Sequence, residues 1–562
     1  MLRALRLRND KTPPVGRQTR SKKVRPETDA GAGTAARRPV KVQDHILAPY
    51  VRPHPRHRAL MLVCLMTAVC FLYGWAFAFV GRFMLVQFAF PIMFLVMLTI
   101  WALPELGKAP VRSLHVFFFA FFVAVPLWPN YLAIALPGMP WITIVRLTGF
   151  PLAAIFLVSL SISKAFRQDL ANSLSATPAL WRALAGFAAV QVLSLAMSNA
   201  VATSINKLIV TQISWTTIYF VSCYVFRKPG RASLWVNIAW AAAIILSGLT
   251  LWEFTQRGVP WAGHIPAFLA VGDESVQRVL GGAIRAGTDR YRVQGTYSTS
   301  LGLAEFMALI TPFLLHYVAG PYRPVTRVAA ALSLPLVLNT IILTDSRLGM
   351  VGFLLSGLLY VFFWAALRWR QQRGSLIAPA VVLAYPAIFV ASLAMILLVP
   401  RLHNATLGGG KHASSTGARL EQMREGIPLV LSHPLGHGIA RGAAALGYTN
   451  PAGTMTIDTY YLLIALDYGI AGFLLFYSML LIGSFGAFRG IVRGTRSREE
   501  TYLAPLAISL ACFFVIKSIY SGVENQAIIY MMLGMTTALL ARSRDGDLPL
   551  LSDRPKQQPK EG

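Results

Sequence analysis

The chain has 562 residues, 55% of them hydrophobic and only 13% charged, with a formal net charge of +29. A soluble protein of this length shows amphipathic rather than uniformly apolar segments, so composition excludes that class and predicts an all-α polytopic membrane protein. Nor is the basic excess a nucleic-acid signature, because it sits in tails and short loops between apolar runs.

Residues 1–58 hold 15 Lys/Arg against four acids, with Pro, Gly and Thr and no hydrophobic period. They read as a disordered cytoplasmic tail able to touch anionic inner-leaflet lipid. They are not a signal peptide, since no small-residue cleavage site follows the first apolar run. Fourteen apolar runs of spanning length then fill 59–541, at about 59–80, 84–104, 114–128, 146–163, 183–198, 207–226 and 232–252 in the first half. The second half adds 299–319, 327–344, 348–367, 376–399, 459–483, 502–520 and 525–541. Residues 542–562 form a second polar tail.

Charge orients the bundle. Loops 105–113, 164–182, 227–231, 320–327, 368–374 and 486–501 carry 2, 3, 3, 2, 3 and 4 Lys/Arg, and the tail after 541 adds five. These are the cytoplasmic side by the positive-inside rule, with both termini there. The turns near Gly81, Ser198, Asp345 and Ser521 on the other side are poor in basic residues. Two long loops on that side, 253–298 and 400–458, hold five Lys/Arg each, which long loops are permitted to do. The layout suits a bacterial inner membrane, with the long loops in the periplasm. Cys64, Cys70, Cys223 and Cys512 all lie in apolar runs, so neither a disulfide framework nor a zinc site is expected.

The long loops hold the unexplained charges. "GARLEQMREGIPLVLSHPLGHGI" from Gly417 has a helical period that places Leu420, Met423, Ile427, Val430 and Leu431 on one stripe. Arg419, Gln422 and Glu425 face elsewhere, as expected of a helix lying on the membrane surface. His433-Pro434 ends it, and the glycines beyond permit a tight turn. Arg347, in "LTDSRLGM", occupies a turn of a few residues that breaks the positive-inside preference. It suits pairing with an anion at the bundle mouth or with its neighbour Asp345. Arg292, near Arg285 and Arg290 in "YRVQGTYSTSLGLAEF", suits either a ligand or a solvated basic loop.

The order "RVQGTYSTS…LAEF", "TDSRLG", "TGARLEQMREGIPLVLSHPLGHG" and "DTYYLLIALDYGIAGFLLF" resembles the O-antigen ligase and O-antigen polymerase superfamily over about residues 290–485. The resemblance implies transfer or polymerisation of glycans carried on undecaprenyl diphosphate, at the periplasmic face, with no cofactor and no obligatory metal. It assigns Arg292, Arg347 and Arg419 to the donor diphosphate, a match to the bidentate, permanently charged guanidinium. Arg146, at the start of the fourth span, is a further phosphate candidate. Family ligases usually carry a His-Asn pair where this chain has "IDTYYL", so Asp458 stands at the histidine position. There it suits a general base on an acceptor hydroxyl or a plain ion-pair partner. His403, His412, His433 and His437 share the loop, and the missing histidine favours polymerase over ligase.

Glu305, about one turn inside its span, is a second catalytic candidate, because a carboxylate at that depth needs a partner or water. Glu524 and Asn525 open the last span, where an acid suits the helix dipole. Lys517 is placed to snorkel, and Asp467 has no assignment. "DGD" at Asp545–Asp547 falls in a polar tail, and Pro and Gly separate His433 from His437, so neither predicts a metal site. Expected partners are a polyprenyl-diphosphate-linked oligosaccharide, membrane lipid and a chain-length regulator or export protein, not nucleic acid. A flippase of lipid-linked sugars is the reading from another class. It is disfavoured because alternating access places charges at the midplane and near both faces.

Overall fold

The computed structural model describes residues 94–105, 107–135, 141–284, 290–372, 376–399, 413–449, 455–495 and 497–546, with scattered positions at 60–68, 374, 453 and 550. The basic tail, the first expected span apart from those positions at 60–68, the second up to 93, Cys70, Arg285, His403, His412, Asp547 and residues 551–562 lie outside them.

In chain order the first half comprises α1 (Val111–Leu127), α2 (Ile144–Ile162), the short α3 (Lys164–Leu174), α4 (Pro178–Leu193), α5 (Val201–Val225) and α6 (Arg231–Gln256). Then come α7 (Glu274–Leu280), β1 (Ala283–Ile284), β2 (Tyr291–Arg292), α8 (Ser300–Ala319), α9 (Pro324–Leu343), α10 (Arg347–Gln371) and α11 (Ile377–Leu398). The last are α12 (Ala413–Ser432), α13 (Gly442–Leu446), α14 (Tyr460–Val492), α15 (Leu503–Ile516) and α16 (Gln526–Asp545). The β1–β2 hairpin, paired antiparallel with Ala283 opposite Arg292, and two isolated antiparallel bridges, Ile134 with Ile142 and Thr449 with Met455, interrupt the helical architecture among the described residues.

Among the described residues, nine helices are long and apolar enough to cross a membrane: α2, α4, α5, α6, α8, α9, α10, α14 and α15 with its leading turn. Two shorter apolar helices, α1 and residues Ile377–Ile388, accompany them. Leu147, Ile245, Leu332, Leu354, Leu383 and Leu474 point outward and are more than half exposed, a side-chain choice that lipid rewards and water does not. The chain is a multi-pass membrane protein. The last expected span forms a helix, α16, but not one of the nine. It is buried along most of its length and keeps Gln526, Thr536 and Thr537 inside, where protein neighbours tolerate polar groups better than lipid does.

At the centre stands α8, buried on nearly every side and packed on α9, α10 and α15. Around it α14 packs on α4 and α15, and α16 on α5. One end of the bundle is stapled by Glu499, whose carboxylate accepts Gly230 N, Ser233 N and Arg542 Nη1 at 2.9, 2.9 and 2.6 Å. Asp545 pairs there with Arg227 at 3.0 Å and with Arg544 at 2.6 Å, so half of "DGD" is a structural tie. The other end carries the long loops. There segments 128–135, 141–142 and 257–280 share a small core in which Tyr131, Leu132, Val271 and Val276 pack with Trp141 and Trp261.

Candidate functional site

The tetrapeptide Ser346-Arg347-Leu348-Gly349 opens α10 at the loop end, and each residue has a separate task. Ser346 is the N-cap, its hydroxyl accepting Gly349 N. Leu348 is 2% exposed. A Cβ on Gly349 would stand 2.9 Å from both Ala304 Cβ and Ile341 Cγ2, so glycine lets α10 press onto α8 and α9. That leaves Arg347 at the first helical position, half-buried. A cation there opposes the helix dipole, whereas the same free N–H groups favour an anion. The motif thus sacrifices local helix preference to hold a guanidinium at the bundle mouth.

Arg292 is brought to the same turn. Its Nε donates to Thr344 O at 2.9 Å, and Val293 N donates to Leu343 O at 3.3 Å. The strand is fixed from behind by Glu253, fully buried at the end of α6, which accepts Tyr291 OH, Gln294 N and Gly295 N at 2.9, 3.0 and 2.7 Å. Charge-assisted bonds of this kind are about twice as strong as neutral ones. Glu253 is a positioning residue that the sequence reading did not single out. Asp345, the neighbour offered as Arg347's partner, is approached by exposed Arg290 at 3.6 Å.

The surface helix exists as α12, with a different face turned inward. Leu420, Ile427 and Leu431 are exposed, whereas Gln422 and Val430 are buried and Arg419 and Met423 partly so. The expected single stripe is therefore two: Leu420, Ile427 and Leu431 point away from the protein, while positions 426 and 430 pack on α14 and positions 419 and 422 meet Asp458 just before it. A Cβ on Gly426 would meet Leu462 Cδ1 at 2.7 Å. This inward face brings Arg419 Nε to 3.9 Å from Asp458 Oδ2, and Gln422 Oε1 accepts Asp458 N at 2.8 Å. Arg419 Nε makes no hydrogen bond among the described residues. Burial holds the Asp458 carboxyl above the usual aspartate value, and the Arg419 charge opposes that rise.

"SHPLGHG" plugs a break in α14. Gly469 has φ +68° inside the helix, and Ile470 N donates to Pro434 O at 3.0 Å. A Cβ on Gly469 would overlap Pro434 O, and one on Gly436 (φ +81°) would meet Gly469 N. Asp467 now has a task, accepting Ala440 N at 3.2 Å and Gly442 N at 2.6 Å. It fastens the segment after the two histidines, whose ring centroids lie 4.7 Å apart.

Glu305 is sealed rather than presented to open space. It is fully buried, pairs with equally buried Lys517 at 2.8 Å, and receives Asn525 Nδ2 at 3.0 Å. Lys517 therefore does not snorkel, and the Glu305 carboxylate is turned to Lys517 and Asn525. Both brace α8 against α15. Asn525 also accepts Tyr297 OH at 3.0 Å, and Glu524 accepts Ser298 N at 2.9 Å, so this pair holds the "TYSTS" loop in addition to opening α16.

Arg146 lies in the first turn of α2, its Nη1 donating to Trp141 O at 2.7 Å. It lines a cavity of about 300 Å³ together with Lys207 and Glu524. None of Arg292, Arg347, Arg419 or Asp458 is in that lining. The structure thus ties Arg292 to the Arg347 turn and Arg419 to Asp458, and places Arg146 with a different cation, Lys207. The signal for Lys207 was available: a lysine at the outer end of an apolar run, read only as the start of a span.

No curated protein matches the chain. Residues 331–477 match the Wzy_C family model, described as O-antigen ligase. That stretch runs from α9 into α14, so it contains Arg347, Arg419, Asp458 and Asp467 and leaves out Arg146, Lys207 and Arg292. The chain carries an O-antigen ligase-family domain of the Wzy_C type.

Proposed function

We propose that the protein polymerises undecaprenyl-diphosphate-linked oligosaccharide repeats into exopolysaccharide, capsule or O-antigen. In this reading the loop end faces the periplasm, the membrane is the bacterial inner membrane, and both termini are cytoplasmic. The observation that carries the reading is Arg347 at the first position of α10, half-buried at a helix start that itself favours an anion. Arg292, tied to that turn, and Arg419, whose Nε pairs with Asp458 without a hydrogen bond, supply further charge for a diphosphate.

The chemistry follows from those groups. An acceptor sugar hydroxyl attacks the anomeric carbon of the donor as the bond from that carbon to the phosphate oxygen breaks. The hydroxyl proton passes to Asp458, whose raised pKa suits a base. The departing lipid diphosphate carries away the electron pair, and arginines stabilise its growing charge. Glu305 serves as a brace and not as the acid or base. A chain-length regulator or export protein would act on the growing polymer.

The family description favours a second reading, transfer of finished glycan to a lipid A core. Purified protein in liposomes, supplied with lipid-linked repeats, separates the two. A ladder of polymer without any core acceptor is expected. Product that forms only when lipid A core is added would overturn the polymerase reading in favour of the ligase.

A further inference from the structure

The cavity at Arg146 and Lys207 is not absorbed by the diphosphate site. Lys207, half-buried near the start of α5, makes no hydrogen bond or ion pair among the described residues. Arg146 spends one nitrogen on Trp141 O. The only carboxylate in the lining, Glu524, is already committed to Ser298. Two cations therefore line one space with one engaged acid, while Asp467, outside the lining, lies within electrostatic reach of Lys207.

The rest of the lining mixes apolar side chains with hydrogen-bonding groups. Trp141, Trp215 and Phe150 supply aromatic rings, and Asn130, Thr211 and Ser214 hydrogen-bonding groups. Trp215 is braced from behind by Tyr530, with ring centroids 5.7 Å apart. Ser214 and Trp215 reach the cavity from the π-helical turn Gln212–Thr217. Such turns are uncommon and gather at functional sites. Amphipathic rings beside hydroxyl and amide groups suit a sugar, whose faces are apolar and whose rim is polar. At about 300 Å³ the space lies at the small end of ligand pockets, enough for a sugar unit and not for a long chain.

We propose that this cavity is a glycan subsite for an acidic sugar, its carboxylate taken by Lys207 and Arg146 and its ring laid against Trp141 or Trp215. Beside the Glu524 carboxylate a monoanion is repelled less than a diphosphate, which carries more negative charge. The assignment rests on the glycan-transferring reading above and narrows it to repeats that contain a carboxylate-bearing sugar.

Calorimetric titration of the purified full chain tests it without turnover, using a glucuronate-containing disaccharide, a neutral glucose disaccharide and inorganic pyrophosphate. The acidic disaccharide should bind about tenfold or more tightly than the neutral one, and Lys207→Gln should remove that advantage. Lys207→Arg should restore most of it. Ser214→Phe, which fills the cavity and leaves its charge alone, should abolish sugar binding even if Lys207→Gln fails to fold. Equal binding of the two disaccharides, or pyrophosphate competing for the Lys207-dependent site, would overturn the subsite. Because no transfer is measured, acidic-sugar binding in a protein that makes no polymer would sink the enzymatic reading and leave the subsite standing.

Discussion

Arg292 Nε donates to the carbonyl of Thr344 at 2.9 Å, which ties the loop before α8 to the turn that presents Arg347. Two guanidinium groups 55 positions apart in sequence thereby answer to one turn, itself fixed by the Ser346 cap and by Gly349 against Ala304.

Arg347→Ala should abolish polymer while leaving the protein in the membrane, a loss of about 10²–10³ in rate if it follows other stabilisers of developing negative charge. Arg347→Lys should also be poor, because a point charge does not reproduce the bidentate fork. Immunoblots of membranes beside glycan gels check both. Normal polymer from the alanine variant would remove Arg347 from the site.

Asp458 gives a pH dependence whose sign is fixed. A base must be deprotonated, so activity should fall as pH drops through its pKa, which burial holds above the ordinary aspartate value. Arg419 pulls that pKa down, so Arg419→Gln should move the acid limb to higher pH. Asp458→Asn should lose the activity that depends on this limb. A pH–rate profile unaltered in both variants would make the Arg419–Asp458 contact purely structural.

The sequence made Arg347 conspicuous because it broke a rule: a basic residue in a tight turn on the wrong side. Lys207 and Glu253 broke none, since a charge at the end of an apolar run is ordinary, and only tertiary structure reveals what each meets. The α12 period was legible but its inward face was not. A surface helix at a membrane has two apolar surroundings, lipid and protein, and periodicity cannot tell Leu420 from Val430. In α16 the polar Gln526 and Thr536 lowered the apolar signal because the helix is surrounded by protein. Glu305 stood out for lack of a visible partner. Lys517, more than 200 positions away in sequence, supplied it.

The buried Glu305–Lys517 pair makes a stability prediction. Lys517→Met leaves a carboxylate buried without its cation and should destabilise the protein by roughly 3–5 kcal/mol. Adding Glu305→Gln should recover much of that loss, because the uncompensated charge is gone. Thermal unfolding in detergent reads both, and two additive losses would contradict the pairing.

Gly469→Ala should be harmful although it adds one methyl group. The left-handed conformation alone costs about 1–3 kcal/mol for a non-glycine residue, and the new Cβ would strike Pro434 O. Faster proteolysis within 433–442 at unchanged membrane insertion is the expected signature. A protease pattern identical to the parent would show that "SHPLGHG" does not depend on the break in α14.

Separation of lipid-linked single repeats from polymer in a deletion strain tests the central claim most directly. Single repeats accumulating at the periplasmic face, with no polymer, is the predicted result. Intact polymer that fails to reach lipid A would contradict it in favour of a ligase, and repeats trapped on the cytoplasmic side would make the protein a flippase.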